Sequence, residues 1–251
     1  MSRELTVDSL TVRVCDPDEL PAAAAEDAAG VVADAVAARG AANVMFATGN
    51  SQLAFLGELA TSAGVDWTQV TAFHMDEYVG LGEGHPASFA RYIRARVGER
   101  LRPGATHLID GTADQVAECA RYAALLRDHP LDLCCLGIGE NGHLAFNDPP
   151  VADFADPHDV KVVELDDDCR RQQVSEGHFP TVADVPRHAI TVTIPALLRA
   201  ATVLAIVPEA RKAEPVRTAL TGPITPACPA SALRRHPNAR LYLDTASARL
   251  L

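Results

Sequence analysis

The chain has 251 residues, 48% hydrophobic and only 5% aromatic, enough for one large α/β domain packed with small aliphatic side chains. Its formal net charge of -11 opposes attraction to nucleic-acid backbones and anionic membranes, so neither is expected as a partner. Residues 1–14 carry charges throughout and lack the apolar run of a signal peptide, and no segment is long and apolar enough for a membrane helix, so a cytoplasmic protein is expected.

In chain order, residues 10–15 alternate as a first strand. Asp16-Pro17-Asp18-Glu19 then opens an alanine-rich helix that ends at Arg39-Gly40, with Leu20, Ala24, Ala28, Val31, Val32 and Ala35 on one face. Residues 43–47 form the next strand, followed by Thr48-Gly49-Asn50-Ser51 and a helix from Gln52. Small polar residues at a strand-to-helix junction either cap the helix, through Asn50 or Ser51, or offer free backbone N–H groups to an anion.

Trp67 to Met75 reads as a strand running into Asp76-Glu77-Tyr78-Val79-Gly80. Two adjacent carboxylates there serve acid or base chemistry, or form a solvated turn. Residues 88–101 give a helix with Phe89, Tyr92, Ile93 and Val97 inward and a stripe of arginines in solvent. A short strand at 106–109 precedes the capping pattern Thr112-Ala113-Asp114-Gln115 and a helix to Arg127. Residues 131–136 are an apolar strand that empties into Gly137-Ile138-Gly139.

Three prolines make residues 149–159 a loop, followed by a strand at 160–165 and an arginine- and glutamine-rich segment from Cys169 to Gly177. A long excursion beside a site suggests a lid within 150–185. The remainder alternates: a strand at 189–193, a helix at 195–200, a strand at 202–207, a helix at 209–220, a short helix, and a last strand at 239–243. Strands and helices alternating at this spacing specify a single-domain, three-layer, doubly wound, mostly parallel sheet of Rossmann-like type. The six cysteines include no Cys-x-x-Cys pair and are read as reduced packing residues, with no metal site; Cys134 and Cys135 should point to opposite faces of their strand.

Gly137-x-Gly139-x-x-Gly142 satisfies the dinucleotide fingerprint literally, with Glu164 at a suitable distance downstream. That fingerprint requires a long helix after the third glycine, which Pro149, Pro150 and Pro157 forbid. The turn therefore lets the backbone approach a small ligand, with His143 over it and Asn141 and Asp148 available to orient the ring.

Four stretches, ATGNSQLAF (47–55), FHMDEYVGL (73–81) with HPASF (85–89), LGIGENGHLAFNDP (136–149), and VPRHAITVTIPALL (185–198) with ARKA (210–213), together resemble the glucosamine-6-phosphate deaminase family. Its wider fold superfamily includes 6-phosphogluconolactonases. The resemblance implies a cofactor-free aldose–ketose isomerisation with deamination, turning glucosamine 6-phosphate into fructose 6-phosphate and ammonia. It makes Asp76 the base that moves a proton from carbon 2 to carbon 1, and His143 the ring-opening relay oriented by Asn141 and Asp148. Thr48, Gly49, Asn50, Ser51 and Lys212 would hold the phosphate, with Glu77, Gly137 and Gly139 around the sugar.

Three departures from the family pattern stand out. Asn141 and Asp148 replace an aspartate and a glutamate, which leaves a cationic imidazole less stabilised. The family's phosphate arginine has no counterpart in SEGHF, so Arg171 or Arg170 is expected to substitute. The chain stops at Leu251, short of the tail that allosteric members use, so activation by N-acetylglucosamine 6-phosphate is not expected. The partners expected are a small sugar phosphate and, at most, further copies of the chain in a homo-oligomer. A galactosamine 6-phosphate deaminase, a 6-phosphogluconolactonase and a non-catalytic sugar-phosphate sensor are the alternatives.

Overall fold

A computed structural model describes residues 3–251. The hairpin β1 (Arg3–Val7) and β2 (Leu10–Cys15) leads to α1 (Leu20–Arg39), β3 (Ala42–Phe46), α2 (Leu53–Leu59), β4 (Val70–His74) and β5 (Asp76–Tyr78). Next, α3 (Phe89–Ile93) runs through a π turn into α4 (Glu99–Leu101), followed by β6 (Ala105–His107), α5 (Gln115–Asp128) and β7 (Leu133–Leu136). The order closes with β8 (Val160–Glu164), α6 (Asp167–Ser175), β9 (His188–Val192), α7 (Ile194–Leu197), β10 (Thr202–Val207), α8 (Ala213–Thr221) and β11 (Ala239–Asp244).

Eight strands form one sheet in the order β1-β2-β11-β10-β7-β3-β4-β6, parallel except for β1. Period-2 alternation divides its side chains between two cores. Met45, Phe73, Cys134, Val203 and Leu241 pack on one face, and Val44, Ala72, Cys135, Leu204 and Tyr242 on the other. Cys134 and Cys135 thus lie on opposite sides of the central strand, and all six cysteines are free thiols. Each fully buried aliphatic side chain here contributes about 1.5–3 kcal/mol. The alanine face of α1 (Ala24, Ala25, Ala28) lets that helix lie close against the sheet. The doubly wound α/β reading of the sequence therefore holds.

Three features differ from the sequence reading. The chain begins with an edge strand, β1, whose Leu5 and Val7 are only half-buried and so carry a weak apolar signal; Asp8, at φ 53°, makes the turn into β2. The cap of α5 is Asp114, which accepts from Ala117 N, while Thr112 folds back onto Asp110. The strands at 160–164 and 188–192 do not join the parallel sheet: with β5 they form a separate antiparallel sheet, β5-β9-β8. Beside it, Tyr78, Phe89, Phe146, Phe179 and Cys169 form a third, aromatic-rich core.

The topology fixes where a ligand goes. From β3 the chain winds outward through β4 to β6, then returns to β7 and winds the other way through β10 to β11. The crevice at the carboxyl ends of β3 and β7 is the switch point, where adjacent loops diverge.

Candidate active site

That crevice is a cleft lined from β5, α3, α6 and the loops after β3, β4, β7 and β10. Its floor is the glycine turn after β7. Gly139 N donates to His143 O at 3.0 Å, folding the loop so that the imidazole lies directly over Gly139. A Cβ at residue 139 would overlap the ring, so glycine is required there. A Cβ at residue 137 would come 3.3 Å from Gln52 Nε2 and 3.7 Å from Ser51 Oγ of the neighbouring loop.

His143 is held from behind. Its Nδ1 lies 2.8 Å from Asp148 Oδ1, its backbone N–H donates to Asn141 Oδ1 (3.1 Å), and Asn141 Nδ2 donates to Asp148 Oδ1 (2.9 Å). Asp148 is fully buried. Burial pushes its carboxyl up, but His143 and Asn141 outweigh that and hold it below the usual range. Asn147 anchors the loop to β9 by donating to Val192 O at 2.9 Å. Asn141 and Asp148 thus stand behind the histidine and not in the cleft.

Asp76 and Glu77 separate because they lie on a strand and not in a turn. Successive side chains of β5 face opposite ways, so Asp76 faces the cleft and Glu77 turns from it. The Asp76 carboxyl is buried and, among the described residues, has no hydrogen-bond or ion-pair partner; Oδ1 is wholly enclosed. Burial, then the nearby charges of Glu77 and Asp148, raise it well above the ordinary carboxylate range. Glu77, expected near the sugar, instead caps α3: it accepts from Phe89 N, Ala90 N, Tyr78 N and Ser88 Oγ at 2.7–3.1 Å. A fully buried carboxylate needs that many donors, and α3 has amides to satisfy.

Two similar junctions flank the glycine turn. After β3, Gly49 at φ 105° leads into a short 3₁₀ turn, Asn50–Gln52, that no side chain caps. After β10, Glu209 at φ 83° leads into the turn Ala210–Lys212. A non-glycine residue there costs about 1–3 kcal/mol, offset by Glu209 N donating to Asp244 Oδ2 at 2.9 Å. Thr48, Gly49 and Ser51 line the cleft, and Tyr92 Oη donates to Gly49 O at 3.0 Å to fix the turn. Asn50 points out, its Nδ2 donating to Glu176 O at 3.3 Å. Lys212 is only 4% exposed, and its ammonium has no hydrogen-bond or ion-pair partner among the described residues. Burial lowers its proton affinity, and Glu176 partly restores it from beyond ion-pair distance.

The wall facing these loops is α6 and the turn after it, within the lid expected at 150–185. Gln172, Gln173, Glu176 and His178 line the cleft, four residues that the reading of the sequence did not single out. Their helical spacing was the available signal: 172, 173 and 176 share one face. Arg171, expected to reach the phosphate, lies on the opposite face, exposed and paired with Asp168. Arg170 is buried, donating to Val182 O and Val185 O. Of the predicted site residues, the fold brings Thr48, Gly49, Ser51, Asp76, Gly137, Gly139, His143 and Lys212 to one cleft.

Among the described residues, His143, Asp148 and Cys169 form a group whose ligand atoms lie within 4.8 Å of one another. Asp148 already contacts His143 and Asn141 there. No described helix is long and apolar enough to cross a membrane.

Residues 15–242 match the family described as glucosamine-6-phosphate isomerases/6-phosphogluconolactonase. A glucosamine-6-phosphate deaminase of Bacillus cytotoxicus is 34% identical over 215 residues, covering 85% of this chain and 80% of that one. One from Pseudarthrobacter chlorophenolicus is 37% identical over 211 residues, covering 82% and 80%. Among solved structures, a monomeric glucosamine-6-phosphate deaminase superposes with a TM-score of 0.87 at 30% identity, covering 96% of this chain and 99% of that one. A 6-phosphogluconolactonase from Shewanella baltica has a TM-score of 0.78 at 19% identity, covering 96% and 98%, a likeness of fold alone.

Proposed function

Since the chain belongs to the family of glucosamine-6-phosphate isomerases and 6-phosphogluconolactonases, we propose that it converts glucosamine 6-phosphate into fructose 6-phosphate and ammonia. The observation that carries this reading is the pairing, in one cleft, of a buried carboxyl, Asp76, and a buried ammonium, Lys212, neither with a partner among the described residues. Each is costly to bury alone, and a phosphorylated sugar that loses a carbon-bound proton answers both.

In this reading the phosphate sits between Lys212 and the uncapped turn at Thr48–Ser51, and its binding energy aligns the sugar. His143, fixed by Asp148 and Asn141, carries a proton as the ring opens. Asp76 then takes the proton from carbon 2 of the open-chain aldose and returns it to carbon 1. This leaves an imine at carbon 2, which water converts to the ketose and ammonia. Desolvation makes Asp76 a stronger base than a solvated carboxylate, as abstraction from carbon demands. The relatives named above at 30–37% identity are glucosamine-6-phosphate deaminases, which favours this chemistry over lactone hydrolysis.

The test is ammonia release from glucosamine 6-phosphate, galactosamine 6-phosphate and unphosphorylated glucosamine. Turnover of a phosphorylated amino sugar at least about 10²-fold faster than of glucosamine is expected. Equal rates with and without the phosphate would remove the role given to Lys212.

A further inference from the structure

The cation end of the cleft already contains an anion. Glu176, carried just beyond α6, has a side chain only 7% exposed. Its Oε1 accepts from Arg211 Nη1 and from Gln172 Nε2, both at 2.8 Å, and its Oε2 lies 3.4 Å from His178 Nε2. Glu176, His178 and Lys212 all line the cleft. Although burial works against its charge, His178, Gln172, Arg211 and Lys212 hold this carboxyl at about 2. Arg211, Lys212 and the His178 imidazole therefore surround one carboxylate in the place where the proposed reading puts the phosphate.

Among the described residues the Arg211 guanidinium is engaged only by carboxylates: Glu209 at 2.7 Å, Glu176 at 2.8 Å and Glu140 at 3.2 Å. It precedes Lys212 in the same turn, whereas Arg170 and Arg171 are committed elsewhere. A dianionic phosphate brought beside Glu176 in a partly desolvated pocket would be repelled unless that carboxylate withdrew.

We propose that Glu176 is a resident anion that a phosphate monoester replaces on binding, and that Arg211, released by this exchange, becomes the arginine of the phosphate site. This rests on the reading that Lys212 anchors a phosphate. Glu176 is then the residue that sets phosphate affinity, and its displacement couples substrate binding to movement of α6, to which it is tied through Gln172. Gln172 in turn accepts from Glu140 N at 2.9 Å, so the exchange also reaches the glycine turn.

The experiment is calorimetric titration with inorganic phosphate of the full chain, Glu176→Gln, Arg211→Gln and the double variant. Glu176→Gln should bind about tenfold or more tightly than wild type, and Arg211→Gln about tenfold or more weakly, the worth of one charge-assisted hydrogen bond. In the double variant the gain from Glu176→Gln should disappear, because no arginine remains to be released. A gain that persists there, Glu176→Gln binding no tighter, or Arg211→Gln within twofold of wild type would each overturn the proposal. Were a variant to misfold, amide exchange of the wild type still decides: saturating phosphate should raise exchange over residues 176–178, and an unchanged or lowered rate would refute the displacement. Neither measurement needs turnover, so loss of the deaminase reading and loss of this exchange are separate results.

Discussion

Replacing Asp76 with asparagine should sharply slow turnover and stabilise the fold, with a pH dependence that follows from burial. The wild-type carboxyl is enclosed, partnerless among the described residues, and held well above the ordinary range by desolvation and by Glu77 and Asp148. A carboxyl with a raised folded value is bound as the acid without cost below its unfolded value of about 4. As pH rises through and beyond that value the unfolded chain ionises first, and stability falls until the folded group ionises too. Asparagine keeps the shape and removes this loss. The two proteins should therefore melt together near pH 4, and the variant should gain about 1–3 kcal/mol at pH 7–8, the scale of a buried unsatisfied polar group. For a chain of this length that is roughly 2–10 °C in melting temperature. Ammonia release should fall by about 10²–10⁴-fold, the worth of a positioned base. Thermal unfolding by circular dichroism at pH 4, 6 and 8, beside the activity assay, reads both. A variant that melts lower than wild type, or differs from it by the same amount at every pH, would refute the account of Asp76.

Gly139→Ala should leave the fold intact by circular dichroism but push the His143 ring off its seat, lowering kcat by about 10²-fold. Glu77→Ala should act on stability: it strips the acceptor from three backbone N–H groups and the Ser88 hydroxyl, costing about 2–4 kcal/mol in denaturant unfolding. Arg171→Ala should keep KM within about twofold of wild type, because that side chain is exposed and, among the described residues, paired only with Asp168; a large rise in KM would show that it does reach the substrate.

The sequence made the switch-point loop legible because it is written in residues that have few other uses there. Gly139 is forced by the overlying imidazole, and the prolines after Asp148 exclude the helix of a dinucleotide site. Glu77 was harder. Reading 76–80 as a turn leaves both carboxylates available to a ligand, whereas three strand residues pairing with β9 send them to opposite sides. A three-residue strand carries too little alternation to announce itself. Lys212 was named from its motif, but its burial, and the partnership of Arg211 with Glu176, which joins residues 35 apart, have no local signature. Arg171 was an expectation from chain position alone, and the helical phase that turns it outward also brings Gln172, Gln173 and Glu176 inward.

The most direct measurement follows a mixture of glucosamine 6-phosphate and 6-phosphogluconolactone by proton NMR with the wild-type protein. The cleft described here predicts that glucosamine 6-phosphate is consumed to fructose 6-phosphate with an equivalent of ammonia, while the lactone opens no faster than in a protein-free tube. Accelerated opening of the lactone with glucosamine 6-phosphate left untouched would contradict the assignment of Asp76 as a carbon base.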